Sequence, residues 1–268
     1  ISRWIDRTYW EDWQLLIGKR RLLQKLLYSR LAEFKKNSGL RFASPFLSML
    51  LHITLLGTIM GVVFGENMQT FLPYFGISFC VWQSISTFIS ESSHLNSATS
   101  RYLLFNGVSG LIFCGINVYQ LVVFGVIRFA AVVAALVVVD AGILLDANWL
   151  CFVLGYILFI VVLFFWAVPL SCFFDSFRIF NSFLPQMLLA LNLITPIFWP
   201  TGKLVNYSWV YEYNPIYHVI EIIRQPLLTG VWPVRSIVVV AIIAFIGFVL
   251  SNLLYRKNKE LIVFRWLS

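Results

Sequence analysis

Five stretches of this chain run for about twenty residues or more without a charged side chain, the length a helix needs to cross a bilayer core. They cover 42–65, 71–90, 150–174, 179–199 and 236–255; a sixth, at about 112–138, is broken only by Arg128. In lipid, every backbone polar group must be satisfied within the structure, which favours helices. The windows therefore predict an all-α membrane protein of six transmembrane helices over 42–268, preceded by a charged region, 1–41. Composition agrees: 60% of residues are hydrophobic and 12% charged, where a soluble domain is nearer a quarter charged. The first 41 residues carry too many charges to read as a cleavable apolar signal.

The net charge of +8 would suggest nucleic acid in a soluble protein. Here its placement gives another reading. With both termini inside, the inner segments (1–41, 91–111, 173–178, 256–268) hold 16 of the 20 Lys and Arg, and the outer ones hold Lys203, Arg224 and Arg235. Lys and Arg concentrate on the cytoplasmic side of membrane proteins, so the asymmetry predicts cytoplasmic termini, and no nucleic-acid partner. Within 1–41, leucines such as Leu15, Leu22 and Leu26 alternate at helical spacing with Lys19, Arg21 and Lys25. That pattern predicts an amphipathic helix lying on anionic lipid or packing on a partner subunit.

Several chemistries lack their residues. There is no G-x-x-x-x-G-K-[ST] phosphate loop and no H-E-x-x-H. His52, His94 and His218 fall in three separate segments, and Cys80, Cys114, Cys151 and Cys172 in apolar runs with no C-x-x-C. No Asp or Glu lies within the six windows, so no proton relay is indicated. Arg128 either snorkels outward or faces a wet path. The expectation is a chain with no catalytic residue, metal or cofactor of its own, driven by energy from another polypeptide.

One short segment does not fit the spanning pattern. "NPIYHVIEIIRQPLLTG" (214–230) opens with Asn214 as a cap and Pro215 at the first helical position. Ile216, Val219, Ile220, Ile223 and Leu227 follow at helical spacing, with Glu221 and Arg224 on another face. Pro226 and Gly230 are expected to end it after about three turns, too few to cross.

The run "LITPIFWP" (193–200) followed by "YNPIYHVIEIIRQPLLTG" resembles the C-terminal signature of permease subunits of ABC exporters for cell-surface polysaccharides (O antigen, capsule, teichoic acid). The matching positions are Thr195, Pro196, Ile197, Asn214, Pro215, Ile216, Arg224 and Gly230. "KKNSGLRFASPFLSML" (35–50), "LPYFGISFCVWQ" (72–83) and "FFDSFR" (173–178) are similar to the family's first-span entry, second span and a cytoplasmic turn. In the last, the order departs from the family's R-D pair. The resemblance implies a location in the bacterial inner (plasma) membrane, two permease copies and two separate ATPase subunits that bind ATP and Mg. It also implies an N-terminal interface helix, and short re-entrant extracytoplasmic helices before the sixth span. On that reading, 214–230 dips into the outer leaflet with its charged face to water or pore, or else anchors the loop at the interface. Thr195, Pro196, Asn214, Pro215, Glu221 and Arg224 would form the gate. A lipid-linked polysaccharide needs a hydrated tunnel that aromatic rings can grip weakly. Phe46, Trp82, Phe198 and Trp199 are the lining candidates. Glu91, His94 and Arg101, in "SESSHLNSATSRYLLFNG" (90–107), are candidates for a short coupling helix that docks in the ATPase. An exporter of a drug or lipid, a membrane-embedded glycosyl or acyl transferase, and an ATP-independent channel remain open readings.

Overall fold

The computed structural model describes residues 40–100 and 110–267 and, nearer the N-terminus, Tyr9, Glu11, Asp12, Gln14, Gln24 and Tyr28. The rest of the expected amphipathic helix, and Arg101, lie outside the described residues. Every regular element among the described residues is helical.

Helices α1 (Leu40–Leu51) and α2 (Thr58–Phe64) join through a π-helical turn, His52–Gly57. Together they form an apolar rod, Ala43–Phe64, of 22 residues, about 33 Å long. The turn is widened where side chains enter the backbone ladder. His52 Nδ1 donates to the Ser48 carbonyl at 2.6 Å, and the Thr54 hydroxyl donates to the Leu50 carbonyl at 2.9 Å. Gly65, at φ +64°, ends α2 in a left-handed conformation suited to glycine.

Helices α3 (Met68–Ser100), α4 (Gly110–Asp140), a single turn α5 (Gly142–Asp146), α6 (Trp149–Ser176) and α7 (Ile179–Ile194) follow. A 3₁₀ stretch, Thr201–Tyr207, leads to α8 (Trp209–Glu212), α9 (Pro215–Leu228) and α10 (Val234–Leu267). Five segments are long and apolar enough to cross a membrane: α1–α2, α3, α4, α6 and α10.

Two expectations are corrected. The window 179–199 is not one helix, because α7 stops at Ile194 after 16 residues, about 24 Å. Thr195 takes an extended conformation, ψ 136°, as a residue before proline prefers. The second concerns Glu91 and His94, expected on a separate short helix. They lie on the unbroken end of α3, where "SESSHLNSATS" contains neither Gly nor Pro to stop it.

Helix α6 is the hub, packed on α10, α3 and α9, while α3 also packs on α4. Phe71, Phe75 and Phe79 stack along α3 at centroid distances of 6.2 and 5.3 Å. Trp166 of α6 lies over Gly247 of α10, where a Cβ would meet the indole at 2.6 Å. Its Nε1 donates to the Ile243 carbonyl at 3.0 Å. All four cysteines are buried thiols.

One end of the bundle is tied by polar side chains. Asn96 of α3 donates to Asp175 of α6 and, at 2.7 Å, to Asn258 of α10. Ser171 donates to Asn258 at 3.1 Å. Asp12 joins the same end: its carboxylate pairs with Lys259 at 2.8 Å and accepts from the Tyr255 hydroxyl. Tyr9 packs edge-on against Tyr255, 5.2 Å between centroids.

Candidate functional site

The opposite end of the bundle is organised by α9. Asn214 starts it as the sequence indicates, with its side-chain oxygen accepting from the Ile216 N–H at 2.9 Å and proline at the first position. The Asn214 amide also donates to the Thr195 hydroxyl at 2.9 Å, which in turn donates to the Leu191 carbonyl at 2.7 Å. The cap of α9 is thus fastened to the break that ends α7.

Pro226 does not stop the helix, which runs on to Leu228. Proline lacks the N–H that would reach the Ile222 carbonyl one turn back. That carbonyl instead faces Gly155 of α6, where an added Cβ would stand 2.3 Å from its oxygen. Glycine permits the approach and proline frees the carbonyl that makes it. The chain leaves α9 through Thr229 and Gly230, the latter at φ +65°. Asn148, the cap of α6, donates its backbone N–H to the Pro226 carbonyl at 2.8 Å.

The expectation that the charged face of α9 meets water or a pore is corrected. Glu221 and Arg224 are 5% and 2% exposed and form an ion pair. Arg224 Nη1 donates to the Ser78 hydroxyl at 2.9 Å and to the Pro196 carbonyl at 3.0 Å. The guanidinium lies over the Tyr74 ring, 4.0 Å from its centroid, and the Tyr74 hydroxyl donates to the Pro196 carbonyl at 2.8 Å. A buried charge is tolerated only when paired and hydrogen-bonded. Here a carboxylate, a hydroxyl, a carbonyl and an aromatic face supply that. The cation joins three segments: α9, α3 and the irregular stretch after α7.

Outside this knot lies a polar cleft of about 340 Å³ bordered by Tyr211, Glu212, Tyr217, His218, Glu221 and Gln225. His218 bridges its floor, with Nε2 donating to the Glu212 carbonyl at 2.8 Å and Nδ1 3.0 Å from the Ser236 hydroxyl. At the rim, Arg235 pairs with Glu212 at 3.0 Å. Hydrogen bonds from Arg235 and Ser208 hold the Glu212 carboxyl below the usual carboxylate range. Aromatic rings lead towards the cleft: Trp199 lies 6.4 Å from Tyr211, and Tyr211 5.1 Å from Tyr217.

The remaining candidates separate. Trp82 is 4% exposed, within the core. Phe46 is half-buried against the core. Phe198 packs on Phe75 and Phe79 at 5.6 and 6.2 Å. Thr195 is buried and Pro215 exposed. Glu91 is half-buried and His94 exposed, some 13 to 20 residues along α3 from Tyr74 and Ser78. The sequence reading missed Tyr74, Ser78 and Gly155. A tyrosine hydroxyl within an apolar span was the one available signal, since buried Tyr O–H groups usually find a partner.

A family model described as ABC-2 type transporter matches residues 21–228. No curated protein matches the chain.

Proposed function

This chain belongs to the ABC-2 type transporter family, and from that premise we propose that it exports a lipid-linked polysaccharide as one of two identical permease copies. The family supplies the coarser facts: this is a multi-pass membrane component of an ABC transporter, and ATP hydrolysis resides on a partner subunit. The cargo, the pairing, the inner-membrane location and the cytoplasmic placement of both termini belong to the proposal.

The observation that carries the cargo is the aromatic row Trp199–Tyr211–Tyr217 ending at the polar cleft. Sugar rings present C–H faces that pack on aromatic rings and hydroxyls that bond to carboxylates, amides and imidazoles. The cleft offers both, and its size suits a small-molecule segment. A purely apolar drug or lipid would leave Glu212, His218 and Gln225 unused.

The short helix α9 is read as re-entrant from the outer face. It is buried on nearly every side by protein, the condition for a non-spanning segment at membrane depth. Six crossings follow if α7 and the irregular 195–200 together make the fifth. The Pro196 carbonyl returns to the Tyr74 end of α3, and Lys203 pairs with Glu66 at 2.9 Å. Both contacts support that path.

Helix α3 supplies the mechanical link. It is one helix of 33 residues, about 50 Å long. Tyr74 and Ser78 hold Arg224 near one end, while Glu91 and His94 stand towards the other. An ATPase docked at Glu91 and His94 would push on a rod that ends in the outer knot.

Deletion of the chain in its own cell, followed by gel analysis of surface glycan, tests the cargo. Loss of the polymer with unchanged drug tolerance is expected. Intact glycan together with drug sensitivity would transfer the reading to a small-molecule exporter.

A further inference from the structure

A groove of about 440 Å³ runs between α6 and α10 at the Lys- and Arg-rich end of the bundle, away from the knot and the cleft. One wall runs along α6 from Trp166 to Ser176 and ends on Phe177, and the other along α10 from Leu250 to Lys257. Ten helical steps on α6, from Trp166 to Ser176, rise about 15 Å and seven on α10 about 10 Å, both within half of a hydrocarbon core about 30 Å thick. The groove therefore fits within one leaflet.

Its lining is graded along that depth. Trp166, Leu170, Leu250 and Leu254 are apolar, and Lys257 stands at the mouth. Lys257 is exposed and forms no ion pair among the described residues, whereas neighbouring Arg256 pairs with Glu260 at 3.6 Å. The nearest acid on α6, Asp175, is turned to Asn96. Arg178 follows Phe177 at the same end.

We propose that this groove binds an anionic phospholipid, with one acyl chain along α6 and α10 and the phosphate on Lys257. Charge complementarity selects the occupant: an apolar slot within one leaflet, with an exposed ammonium that has no ion pair among the described residues, suits a lipid with a negative head. Basic pockets between helices at a membrane surface recognise such headgroups. The site is independent of what the protein exports.

Native mass spectrometry of the full chain with its ATPase partner tests it, using phosphatidylglycerol, phosphatidylcholine and undecaprenyl phosphate added separately to detergent. Phosphatidylglycerol is expected to be retained at least several-fold more than phosphatidylcholine. Lys257→Gln should bring the two to the same level while leaving phosphatidylcholine unchanged. Leu250→Trp, which fills the slot, should lower both. Equal retention of the two phospholipids by the unaltered protein, or a preference that survives Lys257→Gln, overturns the proposal. So does retention of undecaprenyl phosphate alone, which would make the groove a carrier site.

Discussion

Gly155 of α6 and Ile222 of α9 meet backbone to backbone: a methyl group on Gly155 would lie 2.3 Å from the Ile222 oxygen. The contact depends on two residues the sequence presents as unrelated, a glycine in a long span and a proline four residues after Ile222.

Gly155→Ala is expected to push α9 away from α6. Overpacking of a tight contact costs about 1–3 kcal/mol, and a backbone obstacle relaxes less readily than a side chain. The purified complex should melt at a lower temperature, and export should fall. Gly202→Ala, where open space surrounds the position, should leave both unchanged.

The Glu221–Arg224 pair makes a second prediction with an asymmetric outcome. Glu221→Gln leaves the guanidinium buried without its counter-charge, a loss of about 3–5 kcal/mol for a broken buried pair. Glu221→Gln with Arg224→Met removes both charges and should recover part of the loss, as read from thermal melting in detergent. Equal destabilisation by the single and double variants would show that the ion pair is not what the knot relies on.

Asp12 and Lys259 should behave alike at the other end. Lys259→Met removes the counter-charge of a buried carboxylate, and the N-terminal segment should become a protease target before the helical bundle does. Asp12→Leu with Lys259→Met should be cleaved more slowly than Lys259→Met alone. Timed digestion followed by mass analysis of the fragments reads the difference.

The Glu212–Arg235 contact is expected to be sensitive to acid. The folded carboxyl is held below its ordinary range by Arg235 and Ser208, so its contribution is fully present above the unfolded value, about 4.3. It is lost as pH falls through the lower folded value. Hydrogen exchange over 208–214, corrected for intrinsic rates, should quicken below about pH 4, and Glu212→Gln should remove the step.

The helix start at Asn214–Pro215 was legible because capping is local: two adjacent residues determine it. The fate of Pro226 was not, because its cost depends on what meets the freed Ile222 carbonyl, and Gly155 lies far away in sequence. The charged residues of α9 were misplaced for a similar reason. Periodicity assigns a face, but whether that face meets water depends on Ser78, Tyr74 and the Pro196 carbonyl, which come from other segments. The end of α7 was readable in part, since Thr195 precedes a proline. An apolar count without backbone preference carried the window through to Trp199. Glu91 and His94 were separated from α3 by polarity, although composition alone does not end a helix.

Helix α7 is fastened at its Thr195 end, where the hydroxyl meets Asn214, and at its start, where Phe180 packs on Phe173 with 5.2 Å between centroids. Along its length only Leu184 is buried, and Phe183, Leu189 and Leu193 point outward. A spar pinned at both tips and bare along its apolar flank must take the cover for that flank from outside the chain.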